Sequence, residues 1–158
     1  MRMWKKLPVV LLGFLMLGAG PRVGTFDLDY GRLAGPINEL SEGERDAVAD
    51  AIRLMKQGRH LLALSRLSAL NQSNPRNSSL RILASYALLQ TGNLLGAFRE
   101  AEKAHETPEK NSYKCWFLAK VALLNGKTAL CERELEHVRN IGDMPAEAAE
   151  LEKELKEK

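Results

Sequence analysis

The sequence is poor in the residues that build metal sites, disulfide scaffolds and nucleic-acid surfaces. Its 158 residues include only 2 Cys and 3 His, which is little material for a zinc site or a disulfide framework. Aromatic residues make up 6%, and 12 Gly and 6 Pro are too few for a fibrous or low-complexity protein. Neither sign of charge predominates, since 23 Lys and Arg stand against 20 Asp and Glu, so we expect no nucleic-acid partner. The remaining composition is typical of one globular domain of ~100–200 residues.

Motifs of the common catalytic and cofactor-binding sites are missing as well. The chain contains no HExxH, Walker-type, GxGxxG or GxSxG pattern. His60, His105 and His137 are scattered, and none has a second His or a carboxylate at a spacing that indicates shared metal ligation. We therefore expect a protein that is not an enzyme, with no catalytic residue, no cofactor and no bound metal.

The beginning of the chain has the pattern of an export signal. Three cations within the first six residues precede an uncharged, mostly apolar stretch at residues 7–20. This stretch is shorter than the ~20 residues that a membrane-spanning helix needs, and the small residues 18–20 suit a signal peptidase. Pro21 hinders cleavage after residue 20, so a cleaved signal peptide and a retained membrane anchor both stay open. We expect residues 1–20 to direct export to a bacterial periplasm or to anchor the protein in the inner membrane.

From residue 41 onward the sequence repeats itself with a period of 34 residues. Gly58, Gly92 and Gly126 are 34 residues apart, and each follows an apolar-periodic run that ends in a polar residue. Such a glycine is typical of a helix C-terminus, where the chain enters the left-handed region. Small residues keep the same register before and after each glycine: Ala51 and Ala63, Ser85 and Ala97, Ala119 and Cys131. The pattern predicts three pairs of closely packed antiparallel helices, with Ala97 opposite Ser85.

This pattern resembles the tetratricopeptide repeat family. The resemblance covers residues 41–143 and implies an all-α fold, in which three tetratricopeptide-like helix pairs stack into a short right-handed solenoid. The family often has Trp near the start of a unit, where this chain has Ala47, Arg81 and Cys115. Arg81 is unfavourable for burial at such a position, so we expect the start of the second unit to be shifted or loosely packed.

The segments on either side of the repeats have different patterns. Residues 144–158 predict a C-terminal capping helix, since Ala148, Leu151 and Leu155 fall on one helical face and would cover the third unit. Residues 21–40 are interrupted by Gly and Pro, which predicts an extended linker.

The two cysteines fall on the two helices of the third predicted unit. An exported protein with two cysteines invites a disulfide. However, the repeat register places Cys115 about one helical turn from the level of Cys131, too far for a bond without backbone movement. The register therefore favours two buried thiols, although a disulfide stays open.

The resemblance also implies a binding surface. In tetratricopeptide repeat proteins the first helix of each unit lines a concave groove, and the matching positions here include Ile82, Tyr86, Tyr113, Trp116 and Lys120. Because Tyr and Trp are common binding anchors, we expect an apolar or aromatic-bearing segment of another protein as the partner. Lys120 is the one cation in this set, which argues against capture of a C-terminal carboxylate. Packing between neighbouring units is the alternative role for several of these side chains.

The sequence thus predicts a non-enzymatic protein–protein interaction module of the cell envelope, with an assembly or scaffolding role. One alternative is a structural component that associates with copies of itself and has no separate client, since three units are few for a free-standing solenoid. A second alternative is a cytosolic secretion chaperone of three repeats, against which the apolar residues 7–20 argue. Phe26 and Tyr30 add the expectation that residues 25–31 occupy the groove when no partner is bound.

Overall fold

The computed structural model describes residues 26–109 and 111–157, and every regular element in these two ranges is helical. The predicted all-α fold class is therefore confirmed for this part of the chain, while the predicted signal or anchor at residues 1–20 lies outside it. After a 3-10 helix at Tyr30–Leu33 come α1 (Ala34–Asn38), α2 (Glu42–Lys56), α3 (His60–Ser73), α4 (Ser78–Gln90), α5 (Leu94–His105), α6 (Ser112–Leu124), α7 (Thr128–Ile141) and α8 (Ala146–Lys156). None of these helices combines the length and apolar character that crossing a membrane requires.

The turns that end α2, α4 and α6 are built alike. Gly58, Gly92 and Gly126 have φ angles of 74°, 80° and 72°, which a residue without a Cβ adopts readily. In each turn the glycine N–H donates to the carbonyl three residues back, and the next N–H donates five residues back, as Arg59 does to Leu54 at 2.9 Å. These two bonds define a Schellman motif. The 34-residue period seen in the sequence is thus a recurrence of one hydrogen-bonded turn.

Small residues lie where the two helices of each pair cross. The pairs are α2 with α3, α4 with α5, and α6 with α7. The Ser85 hydroxyl donates to the Ala97 carbonyl at 2.6 Å, and both residues are fully buried, so the predicted contact between them is confirmed. The other small residues of the period are fully buried too: Ala51, Ala63, Ala119 and Cys131. Close crossings of this kind leave no space for a longer side chain.

Arg81, a departure from the family pattern, is accommodated by an ion pair between α4 and α5. Its guanidinium lies 2.9 Å from the Glu100 carboxylate, and the two side chains are only 16% and 18% exposed. Burial opposes ionisation of Glu100, but hydrogen bonds from Lys103 and Arg81 prevail and hold its pKa below the usual range. The cation at this position therefore has a charged partner within its own helix pair.

The segment expected to be an extended linker instead contains the 3-10 helix and α1, which lie against the start of α4. Leu33 is fully buried, and its carbonyl accepts a hydrogen bond from the Ser79 hydroxyl at 2.8 Å. The Asn77 side chain donates to the Pro36 carbonyl at 2.7 Å. These distant side chains satisfy the backbone carbonyls of the short helical segment, which has few internal bonds of its own.

Helix α8 packs against α6 and α7, as the periodicity of its sequence predicts. Ala148 and Leu151 are buried, and Leu155 is partly buried against the same core. No disulfide joins Cys115 to Cys131, and both side chains are buried. Of the two predicted alternatives, a disulfide and two buried cysteine side chains, the structure contains the second.

Candidate functional site

The five predicted groove residues lie on two helices. Ile82 and Tyr86 are on α4, whereas Tyr113, Trp116 and Lys120 are on α6. Ile82 and Tyr113 are fully buried, Trp116 is 2% exposed, and Tyr86 is half-buried. Ile82 belongs to the hydrophobic core between the helices. The other four residues contact residues 26–29, the segment that precedes the 3-10 helix.

Phe26 occupies a socket formed by aromatic side chains of α4 and α6. Its ring meets those of Tyr86, Trp116 and Phe117 edge-on, with centroid distances of 5.5, 5.7 and 6.1 Å. The Lys120 ammonium lies 5.8 Å from the Phe26 centroid. Edge-to-face rings and a nearby cation are both favourable arrangements for an aromatic side chain. Phe26 is thus an anchor that joins the N-terminal segment to both helices.

Two tyrosine hydroxyls hold the backbone at Phe26 and three residues after it. The Tyr86 hydroxyl donates to the Phe26 carbonyl at 3.0 Å, and the Asp29 N–H donates to the Tyr113 hydroxyl at 2.8 Å. Leu28 between them is buried. Burial raises the pKa of both tyrosines, so both phenols are neutral at physiological pH and Tyr86 keeps the proton that it donates. An irregular stretch of chain is therefore held by main-chain hydrogen bonds and one aromatic side chain.

Residues 26–29 lie between two clefts. One cleft, of about 540 Å³, includes Met55, His60 and Gln90. The other, of about 430 Å³, lies beside α8 and is lined by Phe26, Asp27, Trp116, Lys120, Glu147, Glu150, Leu151 and Glu154. Lys120 is neutralised there, since its ammonium donates to both Glu154 oxygens at 2.6 and 2.8 Å. The side of the groove next to α8 is consequently acidic.

A second group of polar residues, which the sequence analysis treated as scattered, meets between α5 and α7. His105 Nε2 and His137 Nδ1 lie 2.9 and 3.1 Å from the same Glu134 oxygen, Oε2. Glu134 is fully buried, whereas the two histidine side chains are 30% and 46% exposed. The spacing of Glu134 and His137, one helical turn apart, was a signal for this cluster. His105 joins them only because the fold brings the end of α5 within hydrogen-bond distance of Glu134 on α7.

The charges in this cluster are set by its hydrogen bonds. A hydrogen bond with the Cys115 thiol and one with Glu134 raise the pKa of His105 to about 9. Burial alone would raise the pKa of Glu134, but hydrogen bonds from His105 and His137 prevail and lower it. The structure therefore presents an ionised, fully buried carboxylate facing two imidazoles, in a chain for which the sequence predicted no metal-ligating group.

No family model and no curated protein matches this chain. Its function is therefore inferred from the residues and geometry described above.

Proposed function

We propose that the protein is a non-enzymatic interaction module of the cell envelope, which binds a segment of another protein in the groove lined by α4 and α6. In this proposal the three helix pairs are tetratricopeptide-type units of a short right-handed solenoid, and α8 is the C-terminal cap. Support comes from the three like turns at a 34-residue spacing and the small residues buried at each crossing. The role would be assembly or scaffolding, with export directed by residues 1–20.

The observation that carries the proposal is the way in which the groove holds residues 26–29. Tyr86 and Tyr113 contact the backbone, so these two hydrogen bonds do not depend on which side chains the segment carries. The aromatic socket supplies one specific contact, which Phe26 fills. Main-chain hydrogen bonds combined with a side-chain pocket are a common means of peptide recognition. The same features suit a partner segment that replaces residues 26–29.

Two further details define the chemistry of the partner. The Trp116 ring forms a wall of the socket, and its Nε1 is buried without a hydrogen-bond acceptor among the described residues. Because Glu154 pairs with Lys120, the acidity of the α8 side of the groove comes from Glu147 and Glu150. We therefore expect an extended segment with an aromatic anchor and a basic residue next to it.

Self-association is the second candidate, and exposed leucines favour it. Leu61 on α3 and Leu95 on α5 are 72% and 56% exposed, and they occupy equivalent positions of successive helix pairs. Leu62 beside them is 49% exposed. Exposed apolar side chains at recurring positions are typical of a surface that contacts another molecule. For a cytosolic secretion chaperone, the support is limited to size and number of units.

In-cell photocrosslinking distinguishes these candidates. A photoreactive amino acid is placed at Gln90, which lines the cleft beside Tyr86, and in a matched control at Glu102, which is exposed on α5. The proposal predicts that position 90, and not position 102, captures one defined partner from the envelope fraction. Crosslinking of only a second copy of this chain would overturn it in favour of self-association. Equal labelling at both positions would also contradict it.

A further inference from the structure

Three side chains between α5 and α7 present ligand atoms to a common point. One atom from each of His105, Glu134 and His137 lies within 4.8 Å of the other two. Both imidazole nitrogens face Glu134 Oε2, at 2.9 and 3.1 Å. Around a tetrahedral zinc ion with bonds of ~2.0–2.1 Å, neighbouring ligand atoms are about 3.3 Å apart. The two distances to the carboxylate thus differ from those of a metal site by a few tenths of an ångström.

The burial of the carboxylate distinguishes this group from an ordinary surface ion pair. Glu134 is fully buried, and a buried carboxylate is costly unless its charge is compensated. The histidine side chains are 30% and 46% exposed, so the cluster is accessible to solvent. Their rings are stacked, with centroids 6.2 Å apart and planes 11° from parallel.

A neighbouring residue holds the carboxylate from outside. Arg133 Nε donates to the other Glu134 oxygen, Oε1, at 3.3 Å, which leaves Oε2 facing the imidazoles. A hydrogen bond to the far side of a ligating carboxylate fixes its orientation in metal sites. Two helices, α5 and α7, therefore supply the donor set.

We propose that His105, Glu134 and His137 form a binding site for a divalent transition metal such as Zn²⁺. Two imidazoles and a carboxylate suit Zn²⁺, whereas Mg²⁺ and Ca²⁺ require shells of oxygen ligands. Three protein ligands leave one coordination position at the exposed side of the site for water or a group from another molecule. The metal would join the end of α5 to α7 and so tie the second helix pair to the third.

Calorimetric titration of the metal-free full chain with ZnCl₂ tests the site. The expected result is one bound Zn²⁺ per chain, no binding of Mg²⁺, and at least tenfold weaker Zn²⁺ binding by His137→Ala. His60→Ala is the matched control, because His60 is the remaining histidine and lies at the start of α3, outside the cluster. This control is expected to bind Zn²⁺ like the unmodified chain.

A second measurement separates a built site from chelation elsewhere on the surface. Zn²⁺ should raise the Tm of the unmodified chain and of His60→Ala, since a ligand of the folded state stabilises it, but not that of His137→Ala. His137 is used because its side chain is 46% exposed and its loss leaves the core intact, whereas Glu134→Gln alters a buried group. Absence of stoichiometric binding overturns the proposal. Equal affinities of His137→Ala and the unmodified chain, or an equal loss in His60→Ala, overturn it as well.

Discussion

Trp116 illustrates how one residue can serve both the core and the groove. Its ring is 2% exposed and lies 5.0 Å from the Tyr113 ring centroid on its own helix. The same ring forms a wall of the socket for Phe26, which comes from a segment 90 residues earlier in the chain. The two predicted roles of Trp116, in the groove and in packing between the helix pairs, are therefore not exclusive. The side chain supports the helix packing and presents an edge to whatever occupies the socket.

Replacing Trp116 tests how much its side chain contributes to the stability of the core. Trp116→Ala removes a large buried side chain, so we expect a loss of about 3–5 kcal/mol in unfolding free energy, measured by urea denaturation. Tyr86→Phe is the comparison variant, because it removes only the hydroxyl that donates to Phe26 and should cost about 1 kcal/mol. If Trp116→Ala unfolds at the same urea concentration as the unmodified chain, the side chain does not belong to the core.

At the scale of the helices, the recurring small residues fix how closely the two members of a pair approach. Ser85 and Ala97 meet at a crossing where the hydroxyl of one bonds the backbone of the other. Both are fully buried, so their environment has no solvent side into which a longer side chain could turn. Overpacking at such a contact forces strained rotamers or moves the backbone.

Ala97→Leu is therefore expected to lower the free energy of unfolding by about 1–3 kcal/mol. The same residue introduced at Glu102, which is exposed on the same helix, should change it by less than ~0.5 kcal/mol. Parallel denaturant titrations of the two variants provide the comparison. Equal effects of the two substitutions would contradict the crossing geometry.

The helix pairs could be predicted because their determinants are local and periodic. The turns after Gly58, Gly92 and Gly126 each need a glycine, and the glycine is visible in the sequence. The helical part of residues 21–40 was missed because its carbonyls are satisfied by Asn77 and Ser79, more than 40 residues away. A hydrogen bond between residues so far apart leaves no local pattern in the sequence.

The candidate sites likewise combine positions that the local sequence pattern indicates and contacts that only the fold creates. The groove positions on α4 and α6 could be placed from the repeat register, and four of them do meet residues 26–29 or their neighbours. Arg81 looked unfavourable because its partner, Glu100, is on the other helix of the pair. His105 and Glu134 are 29 residues apart, so the cluster that they form with His137 depends on how α5 and α7 are placed by their packing on α6.

At the scale of the whole molecule, the groove and the segment in it can be treated as a receptor and a ligand within one chain. A peptide of residues 24–29 added in trans should bind a chain that lacks residues 21–29 more tightly than the unmodified chain, because the deletion vacates the socket and frees the Tyr86 and Tyr113 hydroxyls that hold the segment backbone. Fluorescence anisotropy of the labelled peptide measures this difference. A peptide with Ala in place of its own Phe is the control and should bind neither protein. Failure of the natural peptide to bind the shortened chain would contradict the proposed groove.

A ligand that is part of the same chain also sets a threshold for every competitor. The covalent link keeps residues 26–29 at a high effective concentration near the socket, on the order of millimolar for short flexible connections. If the socket is vacant for about one hundredth of the time, the apparent affinity of any partner falls about a hundredfold. Weak, chance encounters with aromatic segments are then rejected. Under the proposed function, a partner with additional contacts outside the socket would overcome the threshold, and Phe26 would make the interaction selective without touching the partner.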